Sequence, residues 1–376
     1  MTSVARWAAV DRVLGVRLDA IGDVLMTTPA LAALKHARPG RRVTLLASSS
    51  GSRVAPLLPA LDDVIVYDAP WMKAPAGGAP ARRDDATIRR LREGRFGAAV
   101  IFTVYSQSAL PAALLCHLAG IPLRLAHARE NPYRLLTDWV REAEPDRFVR
   151  HEVRRQLDLV ATVGARPREE RIAVALPPEA QRAARDRLRD DGIDDGAPWV
   201  ALHPGASAPS RRYPADGFVA VGRGIAARGY RAVIVGTADE TGLAREIARG
   251  IGAAAVSIAG RTTLAELAGV LSLASVLVAN NSGPMHLAAA LGTPTVALYA
   301  LTNPQHTPWH VPCRVLSHDV PCRDCQRSVC PEGHHACLRN VPPDAVVRAT
   351  CDLLAETATQ RVVRPASADR LVEGQG

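Results

Sequence analysis

The sequence predicts an α/β protein built from two successive doubly wound, Rossmann-like domains that face a central cleft. Short β-rich runs alternate with amphipathic helical runs, and strands alternating with helices argue for parallel βαβ units in an open sheet. The alternation occurs twice, on either side of a charged, proline-containing stretch. At 376 residues the chain is long enough for two ordinary cores.

In the first series, residues 12–17 (RVLGVR) read as a strand, followed by a turn at Gly22 and a helix over about 24–37. Further strands are predicted at 42–47, 64–67 and 98–102, and 69–81, rich in Pro and Gly, reads as a mobile loop. A helical stretch over 151–163 leads into the charged segment that ends near Pro178. The first domain is therefore placed at 1–170 and the second at 171–358, with a Cys-rich loop at 313–338. The second series carries strands at 199–203, 231–236, 254–258, 276–279 and 295–299. Residues 359–376 are polar and patternless and read as a disordered tail. Two doubly wound halves bind ligands near the carboxyl ends of their strands. Fold alone does not choose among glycosyltransferases, dehydrogenases and binding proteins of this shape. Gly222-x-Gly224 lies within a helical stretch, without the strand–turn–helix context of a dinucleotide fingerprint, which lowers the dehydrogenase reading.

Hydrophobic residues make up 48%, charged residues 22% and aromatics only 4%, so the core must be built from Ala, Val and Leu. All basic residues but Lys35 and Lys73 are arginine, a bias that reads as genomic. The net charge of +9 favours anionic partners such as nucleotide phosphates or lipid headgroups, or marks a basic surface with no dedicated partner. Nothing beyond charge points to nucleic acid. No stretch approaches 18 uninterrupted apolar residues, and residues 1–11 lack the pattern of a signal peptide. The expectation is a cytoplasmic chain with its seven cysteines mostly reduced.

Four segments carry chemistry. In Arg17-Leu-Asp-Ala-Ile-Gly-Asp23 a strand ends and Asp23 opens an apolar helix. The unpaired amides and dipole of a helix N-terminus favour a charged carboxylate there, which is either a plain N-cap or a base able to take a hydroxyl proton. In His203-Pro-Gly-Ala-Ser207-Ala-Pro-Ser210-Arg211 a strand end, a glycine, small hydroxyls and an arginine form either a phosphate cradle or an ordinary polar loop. In Asn280-Asn281-Ser282-Gly283-Pro284-Met285-His286 a second helix start offers amides at Ser282 and Gly283 to a phosphate, and Pro284 fits its first turn. His286, one turn in, faces either phosphates or core. Finally Cys322, Cys325, Cys330 and Cys337, with His334 and His335 between the last two, have roughly the spacing of a closed metal site, with zinc the default and iron the other candidate. The alternative is a set of free or disulfide-paired cysteines. Cys116 and Cys351 read as small apolar fillers.

Taken in order, Ile21-Gly-Asp-Val-Leu, Thr28-Pro-Ala-Leu, Leu136-Thr-Asp-Trp-Val140, His151-Glu-Val, His203-Pro-Gly-Ala-Ser, Arg212-Tyr-Pro, Gly260-Arg-Thr-Thr-Leu-Ala-Glu-Leu and Ser282-Gly-Pro-Met-His-Leu-Ala-Ala-Ala-Leu-Gly-Thr-Pro resemble glycosyltransferase family 9, the ADP-heptose:lipopolysaccharide heptosyltransferases. The resemblance runs from about Arg12 to Asp352, and the cysteine run followed by Leu338 resembles the heptosyltransferase II type. It implies a GT-B fold and an inverting transfer that needs no cofactor, with zinc or iron at most structural. It implies ADP-heptose as donor, and as acceptor an anionic lipopolysaccharide inner-core glycolipid, met peripherally at the inner face of the cell membrane. Residue by residue, it implies Asp23 as the catalytic base. Ser207, Arg211, Ser282, Gly283 and His286 fall on the donor phosphates, and Thr263 and Leu264 near the nucleotide base. Asn281 falls near the sugar, and Arg17 is a candidate for the acceptor's anionic groups.

Two departures stand out. Arg211 takes the place of a lysine, keeping the charge with a different geometry. Asn281 takes the place of an aspartate, removing a negative charge near the sugar. A family member using another nucleotide sugar, or a natural-product or protein acceptor, is therefore the rival within enzymes. A non-catalytic metal-binding scaffold is the rival outside them, opposed by the intact Asp23 and phosphate-loop features.

Overall fold

The computed structural model describes residues 2–72, 81–194 and 196–363. They fall into two compact units. One is the chain up to Pro177 together with Pro304–Trp309, and the other is Pro178–Asn303 together with the chain from His310 onward.

The first unit contains α1 (Ser3–Ala8), β1 (Arg12–Arg17), α2 (Ile21–His36), β2 (Arg42–Ala47), β3 (Asp63–Val66), α3 (Ala81–Glu93), β4 (Ala98–Ile101), α4 (Leu110–Leu118), β5 (Leu123–Ala128), β6 (Asp138–Arg141) and α5 (Glu152–Ala161). Its six strands are all parallel, in the order β3-β2-β1-β4-β5-β6. The central strands are buried on both faces, so they read as apolar runs with little alternation. One side of the sheet packs Leu14, Val16, Leu46 and Ile101 against Ala113, Leu115 and Cys116. Burying each of the leucine, valine and isoleucine side chains contributes about 1.5–3 kcal/mol. Gly15 lets α2 approach β1, because a Cβ there would stand 2.6 Å from Leu31 Cδ2.

The second unit contains α6 (Pro178–Asp190), β7 (Trp199–His203), α7 (Ala215–Ala226), β8 (Arg231–Ile234), α8 (Thr241–Ile251), β9 (Ala255–Ser257), α9 (Leu264–Leu273), β10 (Val276–Asn280), α10 (Gly283–Ala290), β11 (Thr295–Leu298), β12 (Cys313–Leu316), α11 (Ala336–Arg339) and α12 (Pro343–Val363). Its strand order is β12-β11-β10-β7-β8-β9, again all parallel. The core joins Val200, Leu202, Val276 and Val278 to Phe218, Ile225, Val346 and Leu353. Gly222 and Gly224 serve packing. A Cβ on the first would stand 2.2 Å from Ile251 Cδ1, and on the second 2.7 Å from Val347 Cγ2, so both glycines let neighbouring helices close on α7.

In each sheet the order reverses beside the first strand of the unit, between β1 and β4 and between β7 and β10. Ligands of doubly wound sheets bind at the carboxyl ends of strands at such a reversal. The register sets Ala279 opposite His203, so the ends of β7 and β10 lie side by side.

The predicted strands are present to within two residues at each end. Three further strands, β5, β6 and β12, went unread. In β5 the polar Arg124 and His127 are buried, which hides the apolar run, and β12 opens the segment read as a Cys-rich loop. The helix expected from about residue 24 begins at Ile21, so Gly22 lies inside its first turn. The tail expected from residue 359 begins as helix, since α12 runs to Val363; the rest of that tail lies outside the described residues, as do 73–80 of the expected loop. Among the described residues no helix is long and apolar enough to cross a membrane.

Candidate active site

The first group of functional side chains stands where β1 turns into α2. Ala20 is the N-cap of α2 and makes no side-chain cap bond. Asp23 is the third residue of the helix, so its carboxylate is free of the capping role that was the alternative. One of its oxygens, Oδ1, accepts from Arg17 Nη2 at 3.2 Å. The Asp23 side chain is a quarter exposed. Arg17 is 0% exposed and also meets Asp19 Oδ2 through Nε at 2.8 Å and Glu152 Oε1 through Nη1 at 2.7 Å. Burial opposes its charge, but the carboxylates of Asp19, Glu152 and Asp23 outweigh that and raise its pKa above the ordinary arginine value. Burial lifts Asp19 above the usual carboxylate range against the pull of Arg17, and Gln107 Nε2 donates to its Oδ1 at 2.6 Å. The turn is braced by Ser48 Oγ, which donates to Asp19 O at 2.8 Å. Gly51 packs so close that a Cβ there would stand 2.7 Å from the same carbonyl.

Arg17 was expected among the groups that meet the acceptor. The structure places it fully buried among three carboxylates of its own unit, which gives that expectation no support.

The second group belongs to the second unit. Ser207 is exposed after the end of β7, and Pro209–Arg211 form one turn of 3-10 helix. Arg211 is half-buried, and its Nε has no hydrogen-bond partner. Ser282 is the N-cap of α10, yet its side chain caps nothing. Its Oγ donates instead to Asn280 O at 3.1 Å and lies 3.2 Å from His203 Nδ1. The first-turn amides of α10 therefore lack a side-chain cap, with Gly283 and Pro284 in that turn, an arrangement suited to an anion. His286 is buried at the next turn. Asn281 is buried as well, and donates to Thr302 Oγ1 at 3.4 Å. Thr263 caps α9 in a reciprocal box: its hydroxyl accepts from Glu266 N at 3.2 Å, and Glu266 accepts from Thr263 N at 2.7 Å. Leu264 is half-buried beside it.

Four residues that hold these groups were not singled out. Asn280 is fully buried, donates to Pro204 O at 2.7 Å and accepts from Tyr213 N at 3.1 Å, bracing both ends of the loop after β7. Glu240 sits 3.7 Å from His203 Nε2 and accepts from Thr237 N at 2.7 Å. A Cβ on Gly205 would stand 1.7 Å from Glu240 Oε1, so a side chain there would displace Glu240 from its place beside His203. Glu152, at the start of α5, anchors Arg17. The double asparagine at the end of β10, the glycine after His203-Pro and the His151-Glu-Val motif that contains Glu152 were visible signals; Glu240 had none.

The four cysteines are gathered in one segment. The Cys337 thiol is pushed up first by burial and then by Cys330, Cys322 and Cys325, and Cys322 Sγ lies 3.9 Å from His334 Nε2. Even so, among the described residues no three His, Cys, Asp or Glu side chains converge as a metal-ready group. The segment clasps the loop after β7: Ser210 N donates to Ser328 O at 3.1 Å and Ser210 Oγ to Arg327 O at 2.7 Å. Cys116, as expected of a filler, is fully buried, and burial pushes its thiol up to about 12.

The family model of glycosyltransferase family 9 (heptosyltransferase) matches residues 86–336. The chain is 28% identical over 326 residues to lipopolysaccharide heptosyltransferase 1 of Pseudomonas aeruginosa, covering 85% of this chain and 87% of that protein. It is 25% identical over 350 residues to lipopolysaccharide heptosyltransferase 2 of Salmonella typhimurium, covering 89% and 96%. Among solved structures, the family 9 glycosyl transferase of Veillonella parvula matches with a TM-score of 0.77 at 22% identity, over 92% of this chain and 98% of that one. ADP-heptose lipopolysaccharide heptosyltransferase II of E. coli matches with 0.72 at 22%, over 92% and 99%. These two likenesses show that the fold is GT-B.

Proposed function

The chain belongs to glycosyltransferase family 9, the heptosyltransferases, and on that premise we propose that this glycosyltransferase moves a heptose from an ADP-linked donor onto a lipopolysaccharide inner-core acceptor. The observation that carries the reading is the pairing of two chemistries at two strand-order reversals. A partly exposed carboxylate stands in the first turn of α2 in one unit, and an arginine and a helix start without a side-chain cap follow the ends of β7 and β10 in the other.

The donor diphosphate rests on the first-turn amides of α10 at Ser282 and Gly283, and on Ser207 and Arg211, with His286 behind. Thr263 and Leu264 lie toward the nucleotide base and Asn281 toward the sugar. Asp23 takes the proton of the acceptor hydroxyl through Oδ2, since Oδ1 is held by Arg17. The acceptor oxygen bonds to the anomeric carbon on the face opposite the leaving group, the bond to the diphosphate oxygen breaks, and the configuration inverts. Arg211 and the α10 amides meet the charge that builds on the departing ADP.

Work at the inner surface of the membrane follows from a glycolipid acceptor, and the net charge of +9 suits anionic headgroups. The cysteine segment is assigned no step in transfer. A structural zinc or iron there requires the segment to rearrange. Elemental analysis tests this: stoichiometric metal lost in Cys325→Ser, with transfer rate kept, supports it, and metal-free active protein refutes it.

A donor other than ADP-heptose is the second reading, favoured by the neutral Asn281 where the resemblance leads one to expect an aspartate. Calorimetry of ADP-heptose against UDP- and GDP-sugars separates the two. Selective binding of ADP-heptose establishes the donor, and preference for another sugar nucleotide transfers the same mechanism to it. Asp23→Asn is expected to lower transfer by about 10²–10⁴-fold while donor binding is unchanged. Undiminished turnover would remove Asp23 from the mechanism.

A further inference from the structure

The His151-Glu-Val motif has no part in the chemistry so far, and the buried Arg17 supplies it with one. Arg17, at the end of β1, and Glu152, in the first turn of α5, are 135 residues apart in sequence, and both side chains are 0% exposed. Burying such a pair gains little stability over apolar side chains of the same volume, because desolvation consumes most of the attraction. Stability therefore leaves the charges unexplained, and their geometry explains them. Glu152 and Asp19 hold two edges of a planar guanidinium, so its remaining nitrogen, Nη2, is fixed in space and donates to Asp23 Oδ1.

Glu152 is itself locked. Gln156 Nε2 donates to its Oε1 at 2.7 Å and to Thr103 O, just past β4, at 3.0 Å. His151 caps α5 by accepting from Val153 N at 3.2 Å, and its Nε2 lies 2.9 Å from Thr307 O. The line from Thr103 through Gln156, Glu152 and Arg17 to Asp23 is thus continuous, and every donor and acceptor in it before Asp23 is buried.

We infer that Arg17 is a positioning residue for Asp23 and that Glu152 is the anchor that sets it. The pair fixes Asp23 Oδ1 and turns Oδ2 to the acceptor hydroxyl; neither touches substrate. This rests on Asp23 being the base.

The test is a double-mutant cycle on the full chain, with kcat and both KM values measured. Arg17→Gln is expected to lower kcat about 10- to 100-fold, the scale of a small misplacement of a catalytic group, with both KM values within about twofold. Arg17→Lys, which keeps the charge but not the fork, should recover part of that loss, and Glu152→Gln should lower kcat in the same sense by less. In an Asp23→Asn background, Arg17→Gln should change the residual rate by less than about twofold, because a group acting through Asp23 has nothing left to act on.

An equal loss in both backgrounds, or a rise in acceptor KM alone, overturns the inference. So does an unchanged kcat in Arg17→Gln. If Arg17→Gln does not fold, judged by circular dichroism, the nearly isosteric Glu152→Gln enters the same cycle in its place. Full turnover in Asp23→Asn alone overturns the base assignment, a result distinct from failure of the cycle.

Discussion

Glu240 illustrates how a single side chain couples stability to the loop after β7, through His203 at the end of that strand. His203 above all, and then the Thr237 amide, hold its pKa down to about 2 against the opposing effect of burial. A carboxylate depressed below its unfolded value contributes stability that is present above the ordinary value near 4.5 and is lost as the pH falls toward 2. Denaturant unfolding measured from pH 7 to pH 3 should therefore show stability falling below about pH 4.5. Glu240→Gln should flatten that fall, and an identical slope in the variant would exclude this carboxylate as its source. At the residue scale the positions of Asp23, Ser207, Arg211 and Ser282 after strand ends were legible, because each strand reads as an apolar run that stops just before them. Arg17 was legible as a cation but not as a buried one, because its distant partner Glu152 meets it only once α5 has packed in the first unit. Glu240 was invisible for the same reason: its partner His203 lies on another element, and nothing in the local pattern couples them.

Helices in a core poor in aromatics pack close, and glycines set how close. Within α7, Gly222 faces Ile251 with no room for a methyl group, whereas Gly242, in α8, has nothing within 4 Å of its Cβ position. Gly222→Ala should lower stability, because overpacking of about 1–3 kcal/mol exceeds the gain of about 1 kcal/mol in helix propensity. Gly242→Ala should raise stability by up to about 1 kcal/mol. Thermal unfolding of the two variants compares them directly, and the same sign for both would contradict the packing described here. The helix pattern in the sequence placed Gly222 and Gly224 within a helix but gave no partner for either. Elements with clear apolar runs, such as β1, β2 and β7, were legible to the residue. Those with buried polar groups, such as β5, or at a sheet edge, such as β12, were not, because the expected hydrophobic pattern is absent where a side chain bonds main-chain carbonyls, as Arg124 does to Leu135 O and Arg134 O.

At the scale of the whole molecule the proposed mechanism divides its parts between the two units, with the base assigned to one and the phosphate contacts to the other. ADP alone should therefore slow amide hydrogen exchange most in the loop after β7 and the first turn of α10. The turn from β1 to α2 should gain least. Strongest protection at the β1–α2 turn would place the nucleotide on the wrong unit and overturn the division.

The sequence by itself determined that there are two parallel sheets, which segments end as strands beside chemically apt residues, and the family those motifs resemble. These are local properties, written in periodicity and in residue types a few positions apart. The tertiary structure decided what no local pattern contains: that Pro304–Trp309 returns to the first unit, that Asn280 braces the loop after β7, and that Arg17 is buried against Glu152. Each depends on strand order and on contacts between residues far apart in the chain. The energy of a buried charge is set by the neighbours it meets in space.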